Sequence, residues 1–320
     1  MRGPGLRLEL VWKGAEQMTI SVLLRGLCDD AALFPPGNAP IGEAVPAHFA
    51  HERSDHAALV GPFVFPAPRL GELPVILAAT DGRLELSLTV PGGTAAVPGA
   101  LEQLRGIDDV QLVAMEIAVP EGQTPDELFT ALDEIASTAQ GVDIFVEVPR
   151  DDRRAEILSH LARTPYAAKF RTGGIVATAY PDEAELAAAI HAVVGAGVRF
   201  KATAGLHHAV RNTDPHTGFE QHGFLNVMLA AHRAADGAGV DDIAATLADR
   251  DGTSLAEELA GLSAEAVDAL RANFRSFGTC SISDPLTELV GLGLVPQAST
   301  EPSGLMGSVD SPSTEEGPHA

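Results

Sequence analysis

Lysine is rare in this chain, and two of its lysines stand where an amine could act as a nucleophile. The 320 residues contain only Lys13, Lys169 and Lys201, and the other 18 of the 21 basic residues are arginine. Arginine serves in an ion network as well as lysine or better. Only lysine, once deprotonated, attacks a carbonyl to form a Schiff base. The use of lysine at positions 169 and 201 therefore indicates amine chemistry.

Strand periodicity predicts that these two lysines face the same space. Successive side chains of a strand point to opposite faces, so Lys169 and Arg171 share one face, as do Lys201 and Thr203. The phenylalanine beside each lysine points the other way, toward a layer of helices. Adjacent parallel strands lie about 4.8 Å apart, which brings the two amines within several ångströms. A neighbouring cation and partial desolvation both lower a lysine pKa, so we predict a lowered pKa and a free amine.

The elements that position these residues recur along the chain as strand signals separated by helical patterns. Alternating strands and helices predict right-handed βαβ units and a parallel sheet. Eight such units favour a closed (β/α)8 TIM barrel, an α/β fold. An open doubly wound sheet is the alternative, but its dinucleotide form needs a GxGxxG turn that the sequence lacks. The eight predicted strands are residues 20–30, 58–66, 84–92, 110–120, 142–150, 167–174, 199–205 and 274–281.

One connection is longer than the others and predicts a helical insertion. Residues 206–273 separate the seventh and eighth strands, with helical patterns near 224–236, 240–249 and 254–272. Such an insertion is expected to form a lid or wall above the site. We expect residues 1–17 to be an N-terminal extension and 18–296 to form the barrel domain. Residues 297–320, rich in Ser, Pro, Gly and Glu, are expected to be a disordered C-terminal tail.

Chemistry in such a barrel belongs at the carboxyl ends of the strands, where this chain places most of its polar residues. Arginine side chains and glycine amides at these ends suit a phosphate or carboxylate. The predicted catalytic residues are Lys169, Lys201, Glu147, Glu116, His207 and His208. The predicted substrate- or anion-binding residues are Arg171, Thr172, Gly173, Gly174, Thr203, Arg211, Thr279, Ser281, Asp29 and Asp30.

Four segments carry a family resemblance. Lys169-Phe-Arg-Thr-Gly-Gly174 resembles the K-T-S-T-G motif on the sixth strand of deoxyribose-phosphate aldolases and their class I relatives. Lys201-Ala-Thr-Ala-Gly205 resembles the K-A-[SA]-G-G motif of the seventh strand, at a similar separation of 32 residues. Phe277-Gly-Thr-Cys-Ser281 resembles the G-[TA]-S-S phosphate loop, and Ile144-Phe-Val-Glu147 resembles the fifth-strand I-I-E-T segment. The similarity covers the fourth to eighth strands.

The resemblance implies a class I aldolase-like lyase that cleaves or forms a C–C bond in a small carbonyl substrate, phosphorylated, carboxylated or sugar-like. A carbinolamine and then a Schiff base would form on Lys169, while Lys201 lowers its pKa and relays protons. The chain departs from the family in three places. Only Glu116 or Glu147 can replace the fourth-strand acid, Arg171 stands where the family has a small serine, and the insertion has no counterpart.

Two other functions remain open. His207 and His208, with Asp29, Asp30 or Glu147, would suit a divalent metal in a metal-dependent lyase or hydrolase. Alternatively, Lys169 and Lys201 are neutralised by these carboxylates in a buried ion network, and the barrel is a non-catalytic binding or assembly protein. Cys280 has no evident base partner in the sequence, which favours a packing role.

The overall charge argues against large anionic partners. A formal net charge of −23 repels phosphate backbones and anionic lipid, so we expect neither nucleic acid nor membrane as a partner. Two cysteines make no disulfide framework, and no export signal or membrane-spanning run is evident. These features predict a reduced cytoplasmic protein. The lysine pair and the family resemblance add a small-molecule substrate and no cofactor, and a homo-oligomer is compatible with them.

Overall fold

The eight long strands close into one parallel barrel. A computed structural model describes residues 21–296 and shows a closed sheet in which each strand pairs with the next in the chain and the last pairs with the first. The predicted TIM barrel is therefore confirmed. The strands are β1 (Cys28–Asp30), β2 (Val60–Pro66), β3 (Leu84–Val90), β4 (Val110–Ala118), β5 (Asp143–Glu147), β6 (Ala167–Arg171), β7 (Phe200–Thr203) and β10 (Phe274–Thr279), with a separate antiparallel hairpin of β8 (Asn212–Thr213) and β9 (Glu220–Gln221).

Helices alternate with these strands. The helix Pro125–Thr138 begins with a full capping box, in which the Thr124 hydroxyl accepts from the Glu127 N–H and the Glu127 carboxylate accepts from the Thr124 N–H. Predicted segments 1–17 and 297–320, and residues 18–20 of the predicted barrel domain, lie outside the described residues. The helices are α1 (Ile41–Glu52), α2 (Leu73–Leu77), α3 (Val97–Leu104), α4 (Pro125–Thr138), α5 (Arg154–Leu161), α6 (Glu183–Gly195), α7 (Phe224–Ala235), α8 (Val240–Ala248), α9 (Gly252–Ala260), α10 (Ala264–Asn273) and α11 (Ser283–Gly291).

The insertion between β7 and β10 divides into two parts with different positions. Its first part is the β8–β9 hairpin, and its second part is the four helices α7 to α10. Helix α7 is buried along most of its length and packs against α6, α8, α10 and β10, in the outer helix layer. Only the hairpin therefore corresponds to the predicted wall. Among the helices of residues 21–296, none has the length and apolar character needed to cross a membrane.

Outward-facing phenylalanines anchor the strands that carry the lysines. The Phe200 ring lies 5.7 Å from that of Phe170 and 5.2 Å from that of Phe274, all three in the main hydrophobic core. A separate small cluster of Ala114, Phe145 and Ala167 belongs to the opposite strand faces. The alternation predicted for the two lysine strands thus holds, and the lysines point into the barrel.

Register places the two lysines side by side. Lys169 pairs with Lys201 on one side and with Glu147 on the other. TIM barrel interiors are usually filled by branched apolar side chains. This interior instead holds a buried polar layer drawn from six strands: Asp29, Ser87, Glu116, Lys169, Lys201 and Ser276.

Replacement of Phe200 tests how much the packing between the strands and the helix layer stabilises the barrel. Phe200→Ala removes a fully buried ring between two others, and we expect a loss of about 3–5 kcal/mol in the free energy of unfolding. Urea titration followed by circular dichroism measures it. Val75→Ala, at a side chain that is 75% exposed, is the control and should change little. Equal, small losses in the two variants would contradict this account of the core.

Candidate active site

Glu116 bridges the two lysines through its two carboxylate oxygens. Its Oε2 lies 2.6 Å from Lys169 Nζ, and its Oε1 lies 2.5 Å from Lys201 Nζ. The Ser87 hydroxyl donates a further hydrogen bond of 2.8 Å to Oε1. All four side chains are buried, so solvent screens these contacts little. The lysines are therefore linked by a shared carboxylate rather than by direct approach.

Each lysine has a second carboxylate of its own. Lys201 donates to Asp29, which also accepts a hydrogen bond of 2.7 Å from Ser276. Lys169 lies 3.0 Å from Glu147, whose other oxygen is 3.5 Å from Arg171 Nη1. Lys201 also lies 5.3 Å from the centre of the Phe145 ring, a cation–π distance. The buried cluster thus joins two ammonium groups to three carboxylates.

This arrangement raises the pKa of both lysines, so the predicted lowering is wrong. Burial opposes the charge of Lys169, but the carboxylates of Glu116 and Glu147 outweigh it and raise the pKa of Lys169 above its ordinary value. Burial likewise opposes the charge of Lys201, and Asp29 and Glu116 raise its pKa well above the ordinary value. The prediction counted the neighbouring cation and desolvation but not the carboxylates, which come from other strands.

The pKa values of the three carboxylates shift in different directions. Burial favours the neutral form of Glu116, but both lysines outweigh it and hold the pKa of Glu116 well below its usual range. The pKa of Glu147 is also lowered, because Lys169 and Arg171 outweigh the effect of burial. For Asp29, burial dominates over Lys201 and raises the pKa. Glu116 is therefore the firmly ionised centre of the cluster.

A cavity of about 710 Å³ opens beside Lys169 at the carboxyl ends of the strands. Its volume falls within the range of small-molecule sites. A barrel whose lysines were sealed in ion pairs without an adjoining cavity would favour a non-catalytic role, and this barrel has the cavity. The predicted site residues that line it are Glu116, Glu147, Lys169, Arg171, Gly174, Thr203 and His207.

Other predicted site residues lie outside the cavity lining and have structural partners. Asp29 and Lys201 belong to the buried cluster. Asp30 accepts a hydrogen bond of 3.1 Å from the Ala32 N–H and lies 3.1 Å from Nδ1 of the buried His48. The Thr172 hydroxyl donates to backbone carbonyls of the β7 strand end, at Thr203 and Ala204.

The predicted anion site is not assembled. Arg211 is buried outside the cavity lining and forms ion pairs with Glu183 and Glu220. Thr279 and Ser281 bind each other, since the Thr279 hydroxyl donates to the Ser281 carbonyl and accepts from its N–H. These residues follow different strands, and sequence spacing alone could not show that each already has a partner.

Gly173 is explained by close approach of two loops rather than by anion binding. A Cβ on Gly173 would lie 2.8 Å from the Gly205 Cα and 2.6 Å from the Tyr180 ring. A Cβ on Gly205, at a φ of +76°, would lie 2.9 Å from the Gly173 Cα. The loops after β6 and β7 therefore need glycine where they approach each other.

His207 and His208 diverge, so they do not form the predicted metal pair. His207 lines the cavity with its Nδ1 3.6 Å from the Cys280 Sγ, whereas His208 Nδ1 lies 2.6 Å from Glu288 Oε1. In the described chain, the group close enough to share a metal ion is instead Asp126, Glu156 and His160, on the outer helices α4 and α5. Asp126 and Glu156 are exposed, which is common among acidic side chains without an ion.

The contact between His207 and Cys280 gives the thiol a partner that the sequence did not reveal. Burial and then the neighbouring His208 lower the pKa of His207, so this imidazole is neutral near pH 7. Burial raises the pKa of the Cys280 thiol. Both groups therefore face the cavity uncharged. Sequence reasoning also missed Thr89, Tyr180 and Phe219, which line the cavity without any motif that would mark them.

Comparisons with known proteins add little to this geometry. No family model matches the chain, and no curated protein matches it. A 1.8 Å crystal structure of a provisionally named deoxyribose-phosphate aldolase from Toxoplasma gondii ME49 is similar at 15% identity, over 85% of this chain and 92% of that one, with a TM-score of 0.36. At this level the similarity says nothing about activity, which we infer from the site itself.

Removal of the Glu116 charge should destabilise the barrel strongly. Glu116→Gln leaves two buried ammonium groups with too few partners, and we expect a loss of about 3–5 kcal/mol in the free energy of unfolding at pH 7. Because the folded pKa of Glu116 is lowered, its contribution is present above about pH 4.3 and is lost as pH falls further. The difference in the free energy of unfolding between wild type and variant should therefore become smaller as the pH falls below about 4.3.

Urea titrations from pH 7 to pH 3 measure this difference. Glu72→Gln, at an exposed carboxylate paired with Arg69, is the control and should show no measurable loss. A Glu116→Gln variant as stable as wild type at pH 7 would show that the bridge contributes nothing.

The raised pKa of Lys169 should appear in its chemical reactivity. Acetylation of Lys169 by acetic anhydride, mapped by mass spectrometry, should rise about tenfold per pH unit from pH 7 to 10, without the plateau that a lowered pKa would give. Glu147→Gln removes one carboxylate and should shift the profile to lower pH. A plateau near neutral pH in the wild-type protein would contradict the raised pKa.

Proposed function

We propose that the protein is a class I aldolase-like lyase that forms a Schiff base between Lys169 and a small carbonyl substrate. The observation that carries this proposal is the position of Lys169, an amine on β6 that lines a large cavity and contacts two carboxylates. Arg171, Thr203 and His207 line the same cavity and supply polar contacts for the substrate. The amine itself forms the electron sink, so the proposed reaction uses no cofactor.

Nucleophilic attack requires that Lys169 first lose a proton. The acceptor in the proposal is Glu147, because its Oε2 lies 3.0 Å from Lys169 Nζ and its side chain is 23% exposed, whereas that of Glu116 is 1% exposed. The neutral amine then attacks the carbonyl carbon. A C–N bond forms, the carbonyl π electrons move to oxygen, and one proton of the attacking nitrogen transfers to that oxygen to give a neutral carbinolamine.

Dehydration uses Lys169 and Glu147, and C–C cleavage adds His207. Glu147 returns its proton to the carbinolamine hydroxyl, which leaves as water, and the nitrogen lone pair forms the iminium. Loss of the proton from the substrate's β-hydroxyl then breaks the adjacent C–C bond, and that electron pair moves into the iminium to give an enamine. His207, neutral and facing the cavity, is the base proposed for this hydroxyl proton. Protonation of the enamine carbon and hydrolysis release the second product.

Lys201 has a different role in this proposal. It lies outside the cavity lining and is held by Asp29 and Glu116. It keeps Glu116 ionised, and Glu116 in turn orients Lys169 through the 2.6 Å contact. Lys201 is therefore a positioning residue in the proposal, and Lys169 is the nucleophile.

Reductive trapping distinguishes these roles. Sodium borohydride added with acetaldehyde, propionaldehyde or acetone should leave a stable alkyl adduct on Lys169, located by peptide mass mapping. Lys169→Arg keeps the positive charge but cannot form a Schiff base, and it should abolish the adduct. Lys201→Arg is the matched control at the neighbouring strand, and it should retain the adduct on Lys169. No adduct on Lys169 with any of these carbonyls would overturn the proposal.

A further inference from the structure

The cavity beside Lys169 has no surplus positive charge. Two cations line it, Lys169 and Arg171, together with three carboxylates, Glu116, Glu147 and Asp214. Lys169 is paired with two of those carboxylates, and Arg171 lies 3.5 Å from Glu147. His207 is neutral near pH 7. A phosphate group, which carries between one and two negative charges at pH 7, would therefore enter a site of net negative charge.

Two nearby groups that could hold a phosphate are already engaged. Arg211 is sealed by Glu183 and Glu220 outside the cavity lining. At the start of α11, the Asp284 N–H is bound by the Ser281 hydroxyl at 3.2 Å, and the Asp284 carboxylate stands in the first turn of the helix. An acidic side chain there already interacts with the positive end of the helix dipole.

The loops that line the same cavity carry several apolar side chains. Phe34, Pro35 and Pro36 contribute from the loop after β1, and Ile175 and Tyr180 contribute from the loop after β6. The hairpin region adds Phe219, whose ring lies 5.6 Å from that of Tyr180, beside the polar Asp214, Thr217 and Gln221. Ligand pockets are commonly lined by apolar and aromatic side chains with a few polar groups among them.

We propose that the substrate of this site is an aldehyde or ketone that carries an uncharged apolar or aromatic group, rather than a phosphorylated sugar. The inference rests on the proposed function for the carbonyl and on the cavity lining for the rest of the molecule. The carbonyl lies at Lys169, and the apolar group lies between the Phe34–Pro36 segment and the pair Tyr180 and Phe219. This departs from the phosphorylated substrates that the sequence resemblance had left open.

Unreactive alcohols test the binding part of this inference without any Schiff base. Calorimetric titration of the wild-type protein with 2-phenylethanol, glycerol and glycerol 3-phosphate should show 2-phenylethanol binding at least about tenfold more tightly than either of the others. Tyr180→Ala and Phe219→Ala should each weaken 2-phenylethanol about tenfold. Val75→Ala, at an exposed apolar residue outside the cavity lining, is the control and should bind it as wild type does.

Two results would overturn the inference. One is glycerol 3-phosphate binding more tightly than glycerol and 2-phenylethanol, and the other is an absence of 2-phenylethanol binding. Phenylacetaldehyde with borohydride separates this inference from the proposed function. Tight binding of 2-phenylethanol without a Lys169 adduct from phenylacetaldehyde would contradict the Schiff base and support the apolar specificity. An acetaldehyde adduct on Lys169 without 2-phenylethanol binding would support the Schiff base and contradict the apolar specificity.

Discussion

The Glu116 carboxylate is the contact on which the interior of this barrel depends. Two ammonium groups on adjacent strands at the same register would repel each other at close range, and both are almost fully buried. Removing an unpaired charge from water costs far more than a folded domain can offset. Glu116 gives one carboxylate oxygen to each lysine, which offsets both their mutual repulsion and the loss of water around them. The Ser87 hydroxyl donates a further hydrogen bond to Glu116. Asp29 and Glu147 complete the set from either side.

A polar interior also specifies the fold more strictly than an apolar one would. A slip of one residue in β6 or β7 would turn a lysine into the helix layer and a phenylalanine into the barrel. The slipped state would leave Glu116 without one of its two lysine partners and break contacts among Phe170, Phe200 and Phe274. Buried ion pairs add little net stability over apolar packing, but breaking one is costly. The network therefore favours the observed register because any shifted register would leave buried charges without partners.

The sequence revealed what depends on local pattern and missed what depends on distant partners. Eight strand signals and the alternation at Lys169 and Lys201 predicted the barrel and the direction of both lysines, because the period of a strand is a local property. The pKa of the lysines was misjudged, because their carboxylates arrive from far away in sequence: Asp29 is 172 residues from Lys201, and Glu116 is 85. The ion pairs of Arg211 and the contact between His207 and Cys280 were missed for the same reason, since the partners come from other elements of the chain.

The asymmetry of the cluster is the reason that the proposed mechanism uses Lys169 and not Lys201 as the nucleophile. Lys201 is enclosed by Asp29 and Glu116, whose side chains are 3% and 1% exposed, and it lies outside the cavity lining. Lys169 shares Glu116 but has Glu147 as its second partner, with 23% of that side chain exposed and Arg171 beside it. A carbonyl that enters the cavity can change the surroundings of Glu147 while Glu116 stays ionised between two ammonium groups. In the proposed mechanism the proton therefore leaves Lys169 toward Glu147, and the raised pKa keeps the amine protonated until a substrate enters.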